Sequence, residues 1–560
     1  MKNIMLPLGV DNFEELRTTG YYYIDKTYFI EELIQERFKV HLITRPRRFG
    51  KTLAISMLAD FFDIRKDNRQ IFEGLAVSEN KKLCREWRNQ WPVLFVTLKD
   101  IEDLSFAEAY AQLVFTISNL CIEHSYLAKS SHVDSTDKVL FLKLKNQTAD
   151  KAAVKNSLLI LTRMMSAHFG KPVILLIDEY DVPLAKANEY GYYAQMLNSI
   201  RGMLSTALKN NRNLQFAVVT GCLRIAKESI FTGTNHFVAN TIAGKRYKSV
   251  FGFTPAEVGK LLSEFGFEAQ GAKIKQWYDG YRIDNTELYC PWDVLNYVSE
   301  LKNDPDAPMG SYWKDTSHND IIRSFIGQKA FNVTEQFETL LAGGCVKVKL
   351  CDTLTYDFSH SSEDNFWNIL FLTGYLTQTE SDGEDSKATL LQGEVFLKIP
   401  NEEIKTIFAE TIVQWFQDNM RTTNRMPLMA ALWEGKAELA SSLLTDLLFG
   451  TISYHNYRED FYHAFLAGIF VGLGYAVESD KEHGIGRPDI VVKDSANRRA
   501  IILEIKHSQT KSAMEKDCET AVNQIAVQKY ARDFLDGYKI MRCYGVSFFQ
   551  KQCMVKYLEI

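Results

Sequence analysis

Short apolar runs alternate with segments of helical period through roughly the first 240 residues of this chain, the pattern of a parallel α/β sheet. Val40–Thr44, Val93–Leu98, Val173–Ile177 and Gln215–Thr220 read as strands, each a β-rich run bounded by polar or turn residues. Between them, Lys51–Phe62, Phe106–Ile122, Ser157–Phe169 and Tyr193–Lys209 read as helices, and the polar run Ala128–Lys138 as a loop. From Phe251 to Lys436 the period is mainly helical. Thr254 is placed as an N-cap with Pro255 at the first helical position. The acidic run Thr379–Lys387 reads as a hairpin or exposed loop, and the flanking Trp367–Thr377 and Thr389–Ile399 as the helix and strands of a winged-helix unit. Toward the end the order becomes α-β-β-β-α-β: helix Glu459–Leu473, strands Tyr475–Val477, Asp489–Val492 and Ala500–Lys506, helix Asn523–Phe534, strand Ile540–Phe548. A turn is placed at Lys493–Asn497.

Chemistry enters at Arg45-Pro-Arg-Arg-Phe-Gly-Lys-Thr52, between an apolar strand and a helix. That is the layout of a phosphate-binding loop, G-x-x-x-x-G-K-[ST], with Arg45 where the first glycine usually stands. Gly50 and the backbone N–H groups would face a nucleotide's phosphates, Lys51 would neutralise them, and the Thr52 hydroxyl would ligate Mg²⁺. For Arg45, Arg47 and Arg48 the position gives phosphate contact or loop anchoring. Downstream, Val173–Ile177 ends in Asp178-Glu179, a buried strand delivering two carboxylates. Asp178 would hold Mg²⁺ through its water shell and Glu179 would polarise the attacking water. Thr220, at the end of the next strand, is a candidate γ-phosphate sensor; Arg224 and Lys227 could reach phosphate or be plain surface cations.

A second constellation lies near the C-terminus: Gly486-Arg-Pro-Asp489, then Ile501-Ile-Leu-Glu504-Ile-Lys506. Glu504 and Lys506 are two apart on a strand and so share a face, and pairing across the turn brings Asp489 beside it. Charged residues within such an apolar run are costly unless paired or bound to metal. Two carboxylates and a backbone carbonyl suit Mg²⁺ and phosphodiester cleavage, with Lys506 orienting water. Glu459 on the preceding helix is a further metal-site candidate, and Gln524 a supporting one. His463 and His507 are explained as well by a core imidazole and an exposed strand-end histidine, and stay outside the catalytic set.

Composition narrows the picture. A chain of 560 residues is too long for one core. The net charge of -5 argues against a general polycation, though not against a local basic groove. Nine scattered cysteines without a C-x-x-C pair suggest reduced thiols and a cytoplasmic protein. The apolar run Phe461–Val477, broken by His463 and three glycines, falls short of a membrane span, and no signal peptide is visible.

These motifs together resemble a bacterial family with an N-terminal AAA-ATPase-like domain and a C-terminal PD-(D/E)XK nuclease-superfamily domain. The resemblance is carried by Leu6-Pro-Leu-Gly-Val-Asp11 with Tyr23-Ile-Asp25-Lys-Thr, Arg45–Thr52, Leu176-Ile-Asp178-Glu179-Tyr-Asp181, Thr220-Gly-Cys-Leu-Arg224, Gly486–Asp489 and Leu503-Glu504-Ile-Lys506. The arginine-bearing loop is the family's own form. The expected fold is multidomain α/β: a P-loop NTPase parallel sheet with helices on both faces over 1–250, a helical or winged-helix middle over 251–454, and a restriction-endonuclease-like α/β domain over 455–560. The expected cofactors are ATP and Mg²⁺: Arg45, Arg48, Gly50, Lys51, Thr52, Asp178 and Thr220 toward the nucleotide, and Thr52, Asp178, Glu459, Asp489 and Glu504 toward metal. Glu179, Asp489, Glu504 and Lys506 form the catalytic set. Nucleic acid, with DNA favoured, is the expected partner; a homo-oligomer is left open, and no membrane partner is expected. The competing reading is a nucleotide-dependent switch or scaffold that binds without cutting.

Overall fold

A computed structural model describes residues 4–224, 237–313, 334–350, 363–380, 393–408, 426–449, 459–479, 488–528 and 537–558. The chain forms two compact units. One comprises Met1–His318 with Cys345–Ile407, the other Asn319–Gly344 with Phe408–Ile560. Residues of the stretch 251–454 occur in both units.

The first unit is built on β1 (Val40–Thr44), β2 (Val93–Thr97), β3 (Val173–Asp178), β4 (Leu214–Gly221) and β5 (Phe237–Asn240), in the order β2-β3-β4-β1-β5. Every pairing is parallel. All five residues of β1 and all six of β3 are buried, so neither strand has a solvent face. Parallel strands end at one edge. Thr44, Asp178 and Gly221 are thereby brought to the same rim, where the strand order reverses and ligands of open α/β sheets bind. Helices Lys51–Phe62 and Ser157–Phe169 span the expected residues. The run Ala128–Lys138 is not simply a loop. Asp134 caps Thr136 N–H and starts helix Ser135–Lys145, so its Asp, Ser and Thr residues are helix-start signals.

The same unit continues through helix Pro255–Phe265, which carries the expected capping box between Thr254 and Glu257. Its Val258, Leu261 and Phe265 form a core with Ile274, Tyr278, Tyr297 and Leu301. A hairpin of β6 (Tyr281–Ile283) and β7 (Thr286–Leu288) follows. The helix and strands read as a winged-helix unit are formed as helix Glu363–Thr373, β9 (Thr377–Thr379) and β10 (Glu394–Lys398). β8 (Val346–Lys349) completes an antiparallel sheet ordered β8-β10-β9. Most of the acidic run between β9 and β10 lies outside the described residues.

The second unit carries a mixed sheet of β11 (Ala476–Ser479), β12 (Ile490–Asp494), β13 (Arg499–His507), β14 (Ile540–Phe549) and β15 (Gln552–Leu558) in sequential order. Only β13 and β14 run parallel. Helix Glu459–Gly472 packs Tyr462, Phe465, Leu466, Ile469 and Phe470 into one core with Ile501, Leu503, Tyr544 and Val546, so most of the apolar run Phe461–Val477 is a core helix, and its end enters β11. Helices Met426–Trp433 and Ala437–Phe449 contribute Leu432 and Leu444 to that core. Helix Met514–Gln528 starts earlier than its pattern suggested, with Met514, Cys518, Ala521 and Ile525 on its buried face. It lies so close to β14 that a Cβ on Gly545 would stand 2.5 Å from the Cys518 carbonyl oxygen. The sequence pattern does not single out the final strand, β15, because apolar Met554 stands among the partly exposed positions beside buried Cys553 and Val555 and blurs the alternation. Among the described residues, no helix is long and apolar enough to cross a membrane.

Candidate functional site

The first site grows from the end of β1. Arg45 N–H donates to Gly221 O at 3.2 Å, carrying the parallel ladder one step past the strand. The Arg45 side chain then turns inward. Its fully buried guanidinium donates to the carbonyls of Thr44, Asn240, Arg246 and Tyr247, and faces the Phe251 ring. Of the two roles open to it, the geometry has loop anchoring rather than phosphate contact: Nη1 and Nη2 each donate to two carbonyls of the cluster, and Nε lies buried beside them. Arg48 takes a left-handed backbone, φ 65°, and its exposed guanidinium stacks 4.3 Å over the Trp292 ring. Gly50, at φ 81°, turns the chain into helix Lys51–Phe62.

Lys51 is nearly buried, and its Nζ donates to Arg45 O at 3.0 Å and Pro46 O at 2.8 Å, with Cys222 Sγ 3.7 Å away. Thr52 Oγ1 donates to Asp178 Oδ2 at 2.8 Å, while the Thr220 hydroxyl bonds Oδ1 of the same carboxylate. Thr52, Asp178 and Thr220, from three separate elements, thus meet at one point. Glu179 follows at φ 54°; burial and the neighbouring Asp178 charge push its carboxyl up, opposed by Lys51 and Arg47. Asp181, which sequence reasoning used only as part of a motif, accepts the N–H groups of Cys222 and Leu223 at 2.9 Å each and pins the end of β4. Arg224 is described and half-buried, and Lys227 lies outside the described residues.

The loop is also held from behind. Phe49 packs edge-on against Tyr281 with ring centroids 5.0 Å apart, and Cys290 Sγ approaches Arg48 O. Nothing in the local sequence announces these partners.

The second site lies on β12 and β13, where Ile490 pairs with Leu503. Asp489, one residue before β12, accepts the Ile505 N–H at 2.6 Å through Oδ2, and so reaches the backbone between Glu504 and Lys506. Glu504 is 1% exposed; Oε1 receives Lys506 Nζ at 3.1 Å and Oε2 is buried without a hydrogen-bond partner. Burial first, and the Asp489 charge second, push its carboxyl up to about 7, with Lys506 opposing. A buried, partnerless carboxylate oxygen beside a second carboxylate fits a divalent cation, which would satisfy the lone pairs and offset the repulsion. Glu459 begins the neighbouring helix, and its side chain lies outside what is described. Among the described residues, no three His, Cys, Asp or Glu side chains converge on a metal-sized point. Gln524 is half-buried on the helix that packs against β13 and β14. His463, set aside on sequence grounds, places Nε2 at 2.5 Å from the Asp489 carbonyl oxygen. Its spacing of four from Glu459 was the one available signal.

Comparison with known families agrees with both geometries. Residues 7–231 match the predicted AAA-ATPase family, and residues 457–558 match the PD-(D/E)XK nuclease superfamily, so the chain joins an AAA-ATPase-like domain to a PD-(D/E)XK nuclease-superfamily domain. It is similar along most of its length to an uncharacterized protein in the vnfD 5′ region of Azotobacter chroococcum mcd 1. The two are 24% identical over 515 residues, covering 88% of this chain and 87% of the relative.

Proposed function

We propose that this protein binds ATP with Mg²⁺ at the Arg45–Thr52 loop, and that its nucleotide state governs Mg²⁺-dependent phosphodiester cleavage of nucleic acid, DNA favoured, at Asp489, Glu504 and Lys506. The observation that carries the reading is Glu504: a buried carboxylate with one oxygen on Lys506 and the other partnerless, a costly arrangement that a bound cation would relieve.

At the nucleotide site, Lys51 would leave its own loop carbonyls for the phosphates, and Thr52 and Asp178 would hold the cation that accompanies them. Thr220 keeps Asp178 oriented, and Glu179 would polarise the attacking water. At the nuclease site, Asp489 and Glu504 would hold Mg²⁺, which when bound activates water and stabilises the charged phosphodiester transition state. Lys506 would orient that water and offset charge on the phosphate.

Wild type, Lys51→Ala and Lys506→Ala, assayed together for ATP hydrolysis and plasmid nicking, test the reading. The expected result is loss of hydrolysis with altered nicking in Lys51→Ala, and loss of nicking alone in Lys506→Ala. A wild type that cuts neither DNA nor RNA with Mg²⁺ or Mn²⁺, with or without ATP, would sink the nuclease half.

A further inference from the structure

We propose that His463 is a positioning residue of the nuclease site, acting through the main chain of Asp489. The inference rests on reading Asp489 and Glu504 as a cation-binding pair.

Asp489 stands outside the strand ladder, since β12 begins at Ile490. Its carboxylate is therefore placed by what holds its peptide and side chain rather than by the strand ladder. Two carboxylates that share a site also repel each other while no cation lies between them. The pair therefore needs external fixings. One is the Ile505 N–H on Asp489 Oδ2. A second is His463 Nε2, 2.5 Å from the Asp489 carbonyl oxygen. A carbonyl oxygen only accepts, so Nε2 carries the hydrogen in this contact. Carboxylate and carbonyl of one residue are thus gripped from two elements.

The grip is stiff because the helix under it is stiff. Tyr462, next to His463, stacks on Phe548 with centroids 4.2 Å apart and planes 3° apart, and its hydroxyl donates to Gln550 O at 2.8 Å. Phe465, Leu466 and Ile469 bury the same helix in the core that holds Leu503 and Ile505. The imidazole is therefore set at a fixed height over the start of β12. Groups that orient a metal ligand in this way typically change metal affinity 10–100-fold when removed.

The test is titration of the full-length protein with Mn²⁺ and Mg²⁺, followed by thermal shift, for wild type, His463→Gln, His463→Asn and His463→Leu. The glutamine amide reaches the place of Nε2, the asparagine amide stops short, and leucine has no donor. Positioning predicts near-wild-type cation affinity in His463→Gln and a 10–100-fold loss in His463→Asn and His463→Leu, beyond any change in metal-free Tm. Should His463→Leu fail to fold, the Gln and Asn pair decides by reach alone. Equal cation affinity in Gln and Asn variants, or a fall in metal-free Tm with affinity unchanged, overturns the proposal. A wild type that binds neither cation overturns the site and the proposal together. Cation binding that follows donor reach without any cleavage overturns only the nuclease activity.

Discussion

Pro46 lies against Gly374: a Cβ placed on that glycine would stand 2.8 Å from Pro46 Cβ, and the glycine itself sits at φ 94°. The Arg45–Thr52 loop thus leans on the turn after helix Glu363–Thr373, over three hundred residues away in sequence. Gly374→Ala should combine backbone strain of about 1–3 kcal/mol with displacement of Pro46, lowering both the urea midpoint and ATP affinity. Gly266→Ala is the control. Gly266 has φ 76° but nothing within 4 Å of its Cβ position, so stability should fall while ATP affinity holds. Equal ATP affinity in the two variants would show that the turn does not support the loop.

Arg45→Lys keeps the charge and loses the fork. The carbonyls of Thr44, Asn240, Arg246 and Tyr247 share that one guanidinium, and an ammonium on a thinner stem cannot serve all four. Each buried group left unpaired costs about 1–3 kcal/mol, so the nucleotide-free protein should be destabilised by at least about 2 kcal/mol in chemical denaturation. An unchanged midpoint with weakened ATP binding would instead return Arg45 to phosphate contact.

Asp293 and Glu403 make stability pH-dependent. Both are buried, and Glu403 Oε1 already accepts the Tyr312 and Trp313 N–H groups at 2.6 and 2.9 Å. Burial drives both carboxyls up, and for Asp293 the Glu403 charge adds to it. The folded state therefore binds a proton more tightly than the unfolded chain, whose carboxyls titrate near pH 4. The pair's contribution is complete below about pH 4 and declines as pH rises toward the folded-state values. Asp293→Asn should gain stability relative to wild type as pH goes from 4.5 to 8, read from urea midpoints. Parallel pH profiles for the two proteins would refute the upward shift of the Asp293 carboxyl.

Glu504→Gln trades function for stability. It removes a buried negative charge from beside Asp489 while keeping the shape of the side chain. Metal-free Tm should rise above wild type at pH 8, Mg²⁺ or Mn²⁺ should no longer raise it, and nicking should disappear. A lower metal-free Tm would mean that the Glu504–Lys506 bond outweighs the cost of the buried charge.

Both candidate sites were legible because their chemistry is local. A strand, a loop and a helix in one continuous run define Arg45–Thr52, and a two-residue spacing on one strand defines Glu504 and Lys506. What escaped was long-range. The direction of Arg45 depends on carbonyls at 240–247, its missing glycine being compensated by a buried anchor that no spacing rule describes. The role of His463 depends on the helix's height over Asp489, which Tyr462 and Phe548 set.

By itself the sequence determined where the apolar strands of the first sheet run, which residues open its helices, and which side chains are the candidates for phosphate chemistry. Hydrophobic period, caps and turn residues act within a few positions of themselves. Only the tertiary structure decided that Thr52, Asp178 and Thr220 meet at one carboxylate, that the 251–454 stretch divides between two units, and that Pro46 is braced by Gly374. Those outcomes come from strand order, core packing and burial, which join residues far apart in the chain.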